Sequence, residues 1–291
     1  MSELRGSATL TVSGEYDGSY LKANAVDGNT STEWACSSQG SAAWIQFDWG
    51  SPVTIREIRL LARPGDVWGI PKFTFSDASY AAGIPPLNAA GDVTYVLLCP
   101  KTTTSLRISV ETDQISGYAT AAGSNTGFKE IYINDAYSGT PPSTDLTVPS
   151  YLSAIGSTVA YSKWLVLDGN TGNEWASNSA GSGAWIQWNY TAAVYIESIQ
   201  LRDRSGGERW GYPRFTFDDA SYEDGGVVVG QGGYTTYTLA IPKTSTSLRV
   251  SIASGSSGSN IGLAEAIVTG NVTPPGGGGA RINATGVQVV G

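Results

Sequence analysis

The chain contains no histidine. That absence removes the commonest general base, the Ser–His and Cys–His nucleophile pairs and most zinc sites. Positive charge is scarce as well. There are 17 Lys and Arg against 25 Asp and Glu, a net charge of −8, and no basic cluster. Nucleic acid and anionic membrane surfaces both require a basic footprint, so neither is an expected partner. The two cysteines, Cys36 and Cys99, are too few for a disulfide framework and are expected to be free, buried thiols rather than a bridge. No apolar run approaches the roughly 20 residues that span a bilayer, so no membrane insertion is expected. The start, Met1 to Gly6, lacks the basic-then-apolar pattern of a secretory signal, which suggests synthesis without the general secretion route. Neither a Walker-type nor a dinucleotide glycine motif precedes a helix. A carboxylate pair such as Glu33 and Asp77 is too common a signal in a chain with 25 acids to indicate a glycosidase. No enzyme is expected.

What is present occurs twice. Asp27-Gly28-Asn29-Thr30, Glu33-Trp34-Ala35 and Trp44-Ile45-Gln46 return as Asp168-Gly169-Asn170-Thr171, Glu174-Trp175-Ala176 and Trp185-Ile186-Gln187. Trp68-Gly69, Phe73-Thr74-Phe75 and Asp77-Ala78-Ser79-Tyr80 return as Trp210-Gly211, Phe215-Thr216-Phe217 and Asp219-Ala220-Ser221-Tyr222. A period near 140 residues is a whole domain rather than a solenoid unit. The division that follows is a first domain at 1–137, a linker at 138–145, a second domain at 146–271 and a tether with a terminal strand at 272–291.

Within each copy, short runs rich in β-branched and aromatic residues alternate with Gly- and Pro-containing turns, for example Ile55, Ile58 and Leu60, then Pro64-Gly65. No stretch of a dozen residues carries a helical stripe. The pattern predicts an all-β fold built as antiparallel sandwiches. After Thr273-Pro274-Pro275 and a glycine run, Val287-Gln288-Val289-Val290 is apolar enough to be a strand. Such a strand suits addition to a sheet edge, its own domain's or a neighbour's. The four Asn-x-Ser/Thr sequons, at Asn29, Asn189, Asn271 and Asn283, are read as coincidence in a Ser- and Thr-rich chain.

The order Asp-Gly-Asn-Thr, a nearby Trp, then Trp44-Ile45-Gln46-Phe47-Asp48-Trp49-Gly50 resembles the discoidin, or coagulation-factor type C, domain and the bacterial family 32 carbohydrate-binding modules. Ile55, Ile58, Leu60 and Arg63, Ser76 to Tyr80, Leu106-Arg107-Ile108 and Glu130-Ile131-Tyr132-Ile133 occupy the places of later family motifs. In the second copy Trp188-Asn189-Tyr190 replaces the Asp-x-Gly ending. The resemblance implies two tandem jelly-roll β-sandwiches that bind ligands through loops at one end and catalyse nothing.

Two candidate sites follow. Asp27, Asn29 and Thr32 offer hard oxygens in a tight turn, and Glu130 lies on the last strand. The second set is Asp168, Asn170, Asn173 and Glu265. Ca²⁺ takes six to eight such oxygens, and the resemblance implies a structural calcium ion at this place. The alternative is that Asp-Gly-Asn only builds a turn through side-chain bonds to its own backbone. The second candidate is a ligand face of Arg63 with Trp68 and Arg204 with Trp210. An indole suits the C–H face of a sugar and a guanidinium suits hydroxyls or carboxylates. Family pockets frequently include histidine, which this chain lacks, and both indoles are alternatively core plugs. Trp34, Trp175, Trp44 and Trp185 are assigned to the core, and Arg107 and Arg249 to the surface.

The expected function is a non-enzymatic binding protein. The leading setting is a bacteriophage virion, as a head decoration, fibre or tail accessory that contacts other virion subunits or cell-surface glycans and assembles through its C-terminal tail. The alternative is a freestanding adhesion protein at a bacterial surface or outside the cell.

Overall fold

In the computed structural model, residues 3–65, 67–83, 87–111, 124–136, 151–157, 159–167 and 170–271 are described. The chain divides into two compact units, Met1–Pro141 and Pro142–Gly291, with the division inside the 138–145 segment. The tether and terminal strand expected at 272–291 lie outside the described residues.

The first unit contains β1 (Thr9–Val12), β2 (Trp34–Ala35), β3 (Trp44–Ala62), β4 (Pro71–Phe75), β5 (Tyr80–Ala82), β6 (Asp92–Val110) and β7 (Gly127–Asn134). Their order is β2-β7-β3-β6-β4-β5, with β1 also on β3, and every pairing is antiparallel. The second unit repeats this with β8 (Tyr151–Ala154), β9 (Trp175–Ala176), β10 (Trp185–Asp203), β11 (Tyr212–Phe217), β12 (Tyr222–Asp224), β13 (Thr235–Ser254) and β14 (Gly262–Asn271). The order there is β9-β14-β10-β13-β11-β12, with β8 on β10. The protein is therefore all-β, with the same sandwich built twice. Among the described residues the only helices are short 3-10 turns, and none is long and apolar enough to cross a membrane.

The long central strands make the sandwich. The β3–β6 ladder shifts register between Asp48 and Val53 and again between Ile55 and Glu57. Shifts of this kind bend and twist a strand. The early half of β3 pairs with β1 and the late half of β6, while its late half pairs with β7 and the early half of β6. One ladder thus serves both layers. The inward positions Ile45, Phe47, Ile55, Ile58 and Leu60 are completely buried against Leu106, Ile108, Phe128 and Ile131. Cys36 is a free, buried thiol, 3.5 Å from the Thr126 hydroxyl. The side chain of Cys99 lies outside the described residues.

Period-two alternation corrects one core assignment. Trp44 and Trp185 fall on the outward face, opposite in phase to Ile45 and Ile186, and are only half-buried. Each lies under a guanidinium, Arg107 at 4.2 Å and Arg249 at 4.3 Å from the ring centroid. Gln46 and Gln187 accept from the Nε of the same arginines at 2.9 and 2.8 Å. Trp34 and Trp175 are core residues, fully buried.

Candidate functional site

The end-loop cleft is assembled around an arginine that immediately follows a long strand. In the second copy, Arg204 follows β10 and is only 9% exposed. Its Nε and Nη2 donate to Glu174 Oε1 at 3.0 and 2.6 Å, and its Nη1 donates to Glu208 Oε2 at 2.9 Å and to the Asn260 carbonyl. The ring of Tyr161 lies 5.3 Å from the guanidinium carbon and is 41% exposed. Tyr161, Ala176, Asn178, Arg204, Glu208 and Asn260 line a cleft of about 260 Å³.

The first copy repeats the frame. Arg63 follows β3, and its Nε and Nη2 donate to Glu33 Oε1 at 3.2 and 2.9 Å. Its Nη1 donates to the Asn125 carbonyl, and Tyr20 lies 5.4 Å away under the guanidinium. Local sequence explains the convergence. Gly127 and Gly262 open the last strand of each unit where a side chain would collide with the carbonyl of Trp34 or Trp175. Only glycine permits that approach, which sets Glu33 and Glu174, one residue before the tryptophan, beside Asn125 and Asn260, two residues before the glycine. The Asn side chains then pin the facing turn. Asn125 Oδ1 accepts from Ser38 N–H at 2.8 Å and Asn260 Oδ1 from Ser179 N–H at 2.9 Å, where both serines have left-handed backbone.

The electrostatics of the second cleft are set by three charged groups. Glu174 Oε2 accepts from Ser205 N–H and hydroxyl at 3.0 and 3.2 Å. Glu208 Oε1 accepts from the backbone N–H groups of Asn260 and Ser259 at 2.8 and 3.1 Å. The Asn260 N–H, with Ser259 and the Arg204 charge behind it, holds the Glu208 carboxyl below its ordinary range. Four of the five Arg204 N–H donors are engaged by Glu174, Glu208 and the Asn260 carbonyl. Beneath the cleft, Asp203 is 1% exposed and accepts from Arg204 N–H at 3.0 Å and Trp210 N–H at 3.2 Å. Burial pushes its carboxyl up to about 6, against the pull of those two N–H groups.

Arg204 lines the cleft and Arg63 holds the matching position of the first copy, whereas the two tryptophans expected beside them are buried. Trp68 is 1% and Trp210 0% exposed. Trp68 packs on Phe128 with ring centroids 4.1 Å apart and on Trp34 at 6.3 Å, and Trp210 packs on Trp175 at 5.9 Å. Neither indole offers a face to a ligand, so their assignment to it is corrected to core. Tyr161, Asn178, Glu174, Glu208 and Asn260 escaped the sequence reading. The repeated Ser124-Asn125-x-Gly127 and Ser259-Asn260-x-Gly262 would have found the asparagines.

The four expected cation ligands of the first copy do meet. Asp27 Oδ1 accepts from Asn29 N–H at 2.8 Å and Oδ2 from the Thr32 hydroxyl at 2.7 Å. Asn29 Oδ1 accepts from Ser31 N–H at 3.1 Å. Glu130, with a completely buried side chain, accepts from Gly28 N–H at 2.7 Å through Oε1 and from Arg5 Nη1 through Oε2. The Arg5 guanidinium is thus paired with Glu130, and each carboxylate oxygen of Asp27 and Glu130 already has a donor, an arrangement that does not fit a divalent ion as it stands. In the second copy Asp168 lies outside the described residues. Asn170 Oδ1 accepts from Gly172 N–H at 3.0 Å, the Asn173 N–H reaches the Asn170 carbonyl at 2.9 Å, and Glu265 is buried on β14 opposite Arg202. Among the described residues no group of three or more His, Cys, Asp or Glu is placed to hold a metal.

Sequence comparison matches residues 3–133 and 156–269 to a domain of unknown function (DUF7402). The chain belongs to this family. No curated protein sequence matches it. Solved structures similar to this DUF7402 protein include a fucolectin from striped bass (Morone saxatilis) serum, at 12% identity and a TM-score of 0.38, covering 94% of this chain and 100% of that one. The CBM32-1 and CBM32-2 domains of Clostridium perfringens ZmpB match at 11% identity and a TM-score of 0.38, covering 91% and 93%. The family 32 module of C. perfringens NanJ, in complex with galactose, matches at 14% identity and a TM-score of 0.36, covering 45% and 97%.

Proposed function

We propose that this DUF7402 protein is a non-enzymatic glycan-binding protein whose end-loop clefts take a neutral or amino sugar rather than an acidic one. The carrying observation is the twice-built frame of Arg, Glu, Asn carbonyl and Tyr at the same end of each sandwich. A cleft of about 260 Å³ lies just below the roughly 300–1,000 Å³ of drug-sized pockets, which suits one sugar ring. The exposed Tyr161 ring offers an apolar face to the C–H side of that ring, and Asn178 offers an amide group to hydroxyls. Acidic sugars are disfavoured because Arg204 has one N–H donor left and is outnumbered by Glu174 and Glu208. A bidentate grip on a carboxylate needs two free donors.

The same geometry argues against catalysis. A general acid at neutral pH needs a raised pKa and access to the substrate. Glu208 is shifted the other way, and Asp203, which is raised, is buried with its oxygens turned to backbone N–H groups. The setting we propose, a virion component or else a bacterial surface protein, rests on the sequence of the 272–291 tail. Loss of assembly with retained sugar binding on deleting residues 274–291 supports the virion setting, and unchanged self-association counts against it.

The function is tested on a glycan array with the full chain. Neutral or amino glycans are expected to bind and sialylated or uronic ones to fail. Tyr161→Ala, an exposed substitution, is expected to weaken binding about tenfold. An array with no bound glycan, or equal binding of acidic glycans, overturns the reading.

A further inference from the structure

The first copy carries its own cation where a metal ion was expected. Arg5 reaches the Asp27 turn from the N-terminal segment, and three sets of contacts fix it there. Its Nη1 donates to Glu130 Oε2 and, at 2.8 Å, to the Ile131 carbonyl. Its guanidinium carbon lies 4.2 Å over the Tyr132 ring, and its Nε is 3.3 Å from Glu3 Oε2. Nη2 lies against the turn, 4.0 Å from where a methyl group on Gly28 would stand. The backbone that delivers it is also tied down. Leu4 N–H donates to the Ile133 carbonyl at 2.8 Å, and the Trp49 indole N–H donates to the Leu4 carbonyl at 3.0 Å.

All four carboxylate oxygens that a divalent ion would claim already have donors. Asp27 serves Asn29 N–H and the Thr32 hydroxyl, and Glu130 serves Gly28 N–H and Arg5. Ca²⁺ would have to displace this set and gather six to eight oxygens beside a guanidinium that cannot lose its charge. We propose that Arg5 is the resident cation of the first copy, so that its Asp27 turn is held without a divalent metal and does not take one. The inference concerns the first copy.

Hydrogen exchange read by mass spectrometry on the full chain tests it, with peptides covering 24–33 and 128–134 as the readout and the second copy as internal control. Wild-type protection in those peptides is expected to be the same in calcium and in EDTA. Arg5→Ala is expected to speed their exchange about a hundredfold, because removing one partner strands a buried charge. Calcium is then expected to slow it again. Slower exchange of the wild type in calcium, or no effect of Arg5→Ala, overturns the proposal. Should Arg5→Ala fail to fold, Arg5→Ala combined with Glu130→Gln removes the stranded charge and is expected to fold. If that double variant also fails, Arg5 acts through packing rather than charge, and the proposal falls.

Discussion

The two copies of the DUF7402 sandwich keep the same cleft frame and differ beneath it. In the first, the position under the arginine is Ala62, and a neighbouring thiol, Cys36, meets the Thr126 hydroxyl. In the second, the same places hold Asp203, Ser177 and Ile261. The exchange leaves polar atoms less well served. Among the described residues, the buried Ser177 hydroxyl and the Trp210 indole N–H find no hydrogen-bond partner, whereas Trp68 N–H has the Ser109 carbonyl at 3.4 Å. In return Asp203 ties down both ends of the loop 204–210, which carries Arg204 and Glu208. The first copy is satisfied with apolar and thiol packing. The second places a charge in its floor and organises a loop with it.

Substitutions can break or sharpen this comparison. The largest effect is expected where the copies agree. Gly127→Ala and Gly262→Ala force a side chain into a Trp carbonyl, and each should destabilise its own unit by about 3 kcal/mol or more, seen in denaturant unfolding followed for each unit. Equal tolerance at both sites would show that the close approach is not required.

Next is the pH dependence that Asp203 adds to the second copy. Unfolded, the Asp203 carboxyl titrates near its ordinary 3.8, and folded near 6, so the folded form holds the proton more tightly. Through this group the second unit is most stable below the lower value and loses stability as pH rises towards 6. Protonation also makes one of these oxygens a poorer acceptor, so the N–H bond at one end of the loop weakens. Exchange of the Arg204 or Trp210 amide, corrected for its intrinsic rate, should therefore quicken below about pH 6. Asp203→Asn should flatten this part of the pH dependence of the second unit's stability. A second unit whose pH profile is the same with and without Asp203→Asn would remove Asp203 from this role.

A smaller gain is expected from Ser177→Ala. It removes an unpartnered buried hydroxyl and should stabilise the second unit by about 1 kcal/mol, measured by thermal unfolding. Cys36→Ala should instead be unfavourable, because Thr126 loses a contact. Least of all, Arg107→Ala and Arg249→Ala remove exposed guanidinium–indole stacks and should each cost under about 1 kcal/mol.

Much of this was legible in the residues. The repeat located both sandwiches, and the arginines after the long strands were identified from their place in it. Trp68 and Trp210 take their core alternative, and Trp44 and Trp185 depart from their core assignment. Trp68 and Trp210 sit in loops, where sequence gives no period to tell inside from outside, and they proved buried. Trp44 and Trp185 sit in strands, where alternation with Ile45 and Ile186 points outward, against the core place that the family resemblance implies. Asn125, Asn260 and Glu208 act through hydrogen bonds across the fold, 62, 56 and 52 residues from their partners Arg63, Arg204 and Asn260. Spacing along the chain does not reveal such contacts. Arg5 was invisible for the same reason, since 125 residues separate it from Glu130.

The 19-residue strands β3 and β10 start at the outer tryptophan and end one residue before the arginine of the cleft. Sliding either by a single step would swap its faces and carry the guanidinium away from its glutamate. Insertions or deletions inside these strands should therefore disrupt the arginine frame and folding together, whereas changes of length in the turn beyond Arg204 can reshape the mouth of the cleft and leave the frame standing. Differences in cleft shape among relatives are to be sought in that turn.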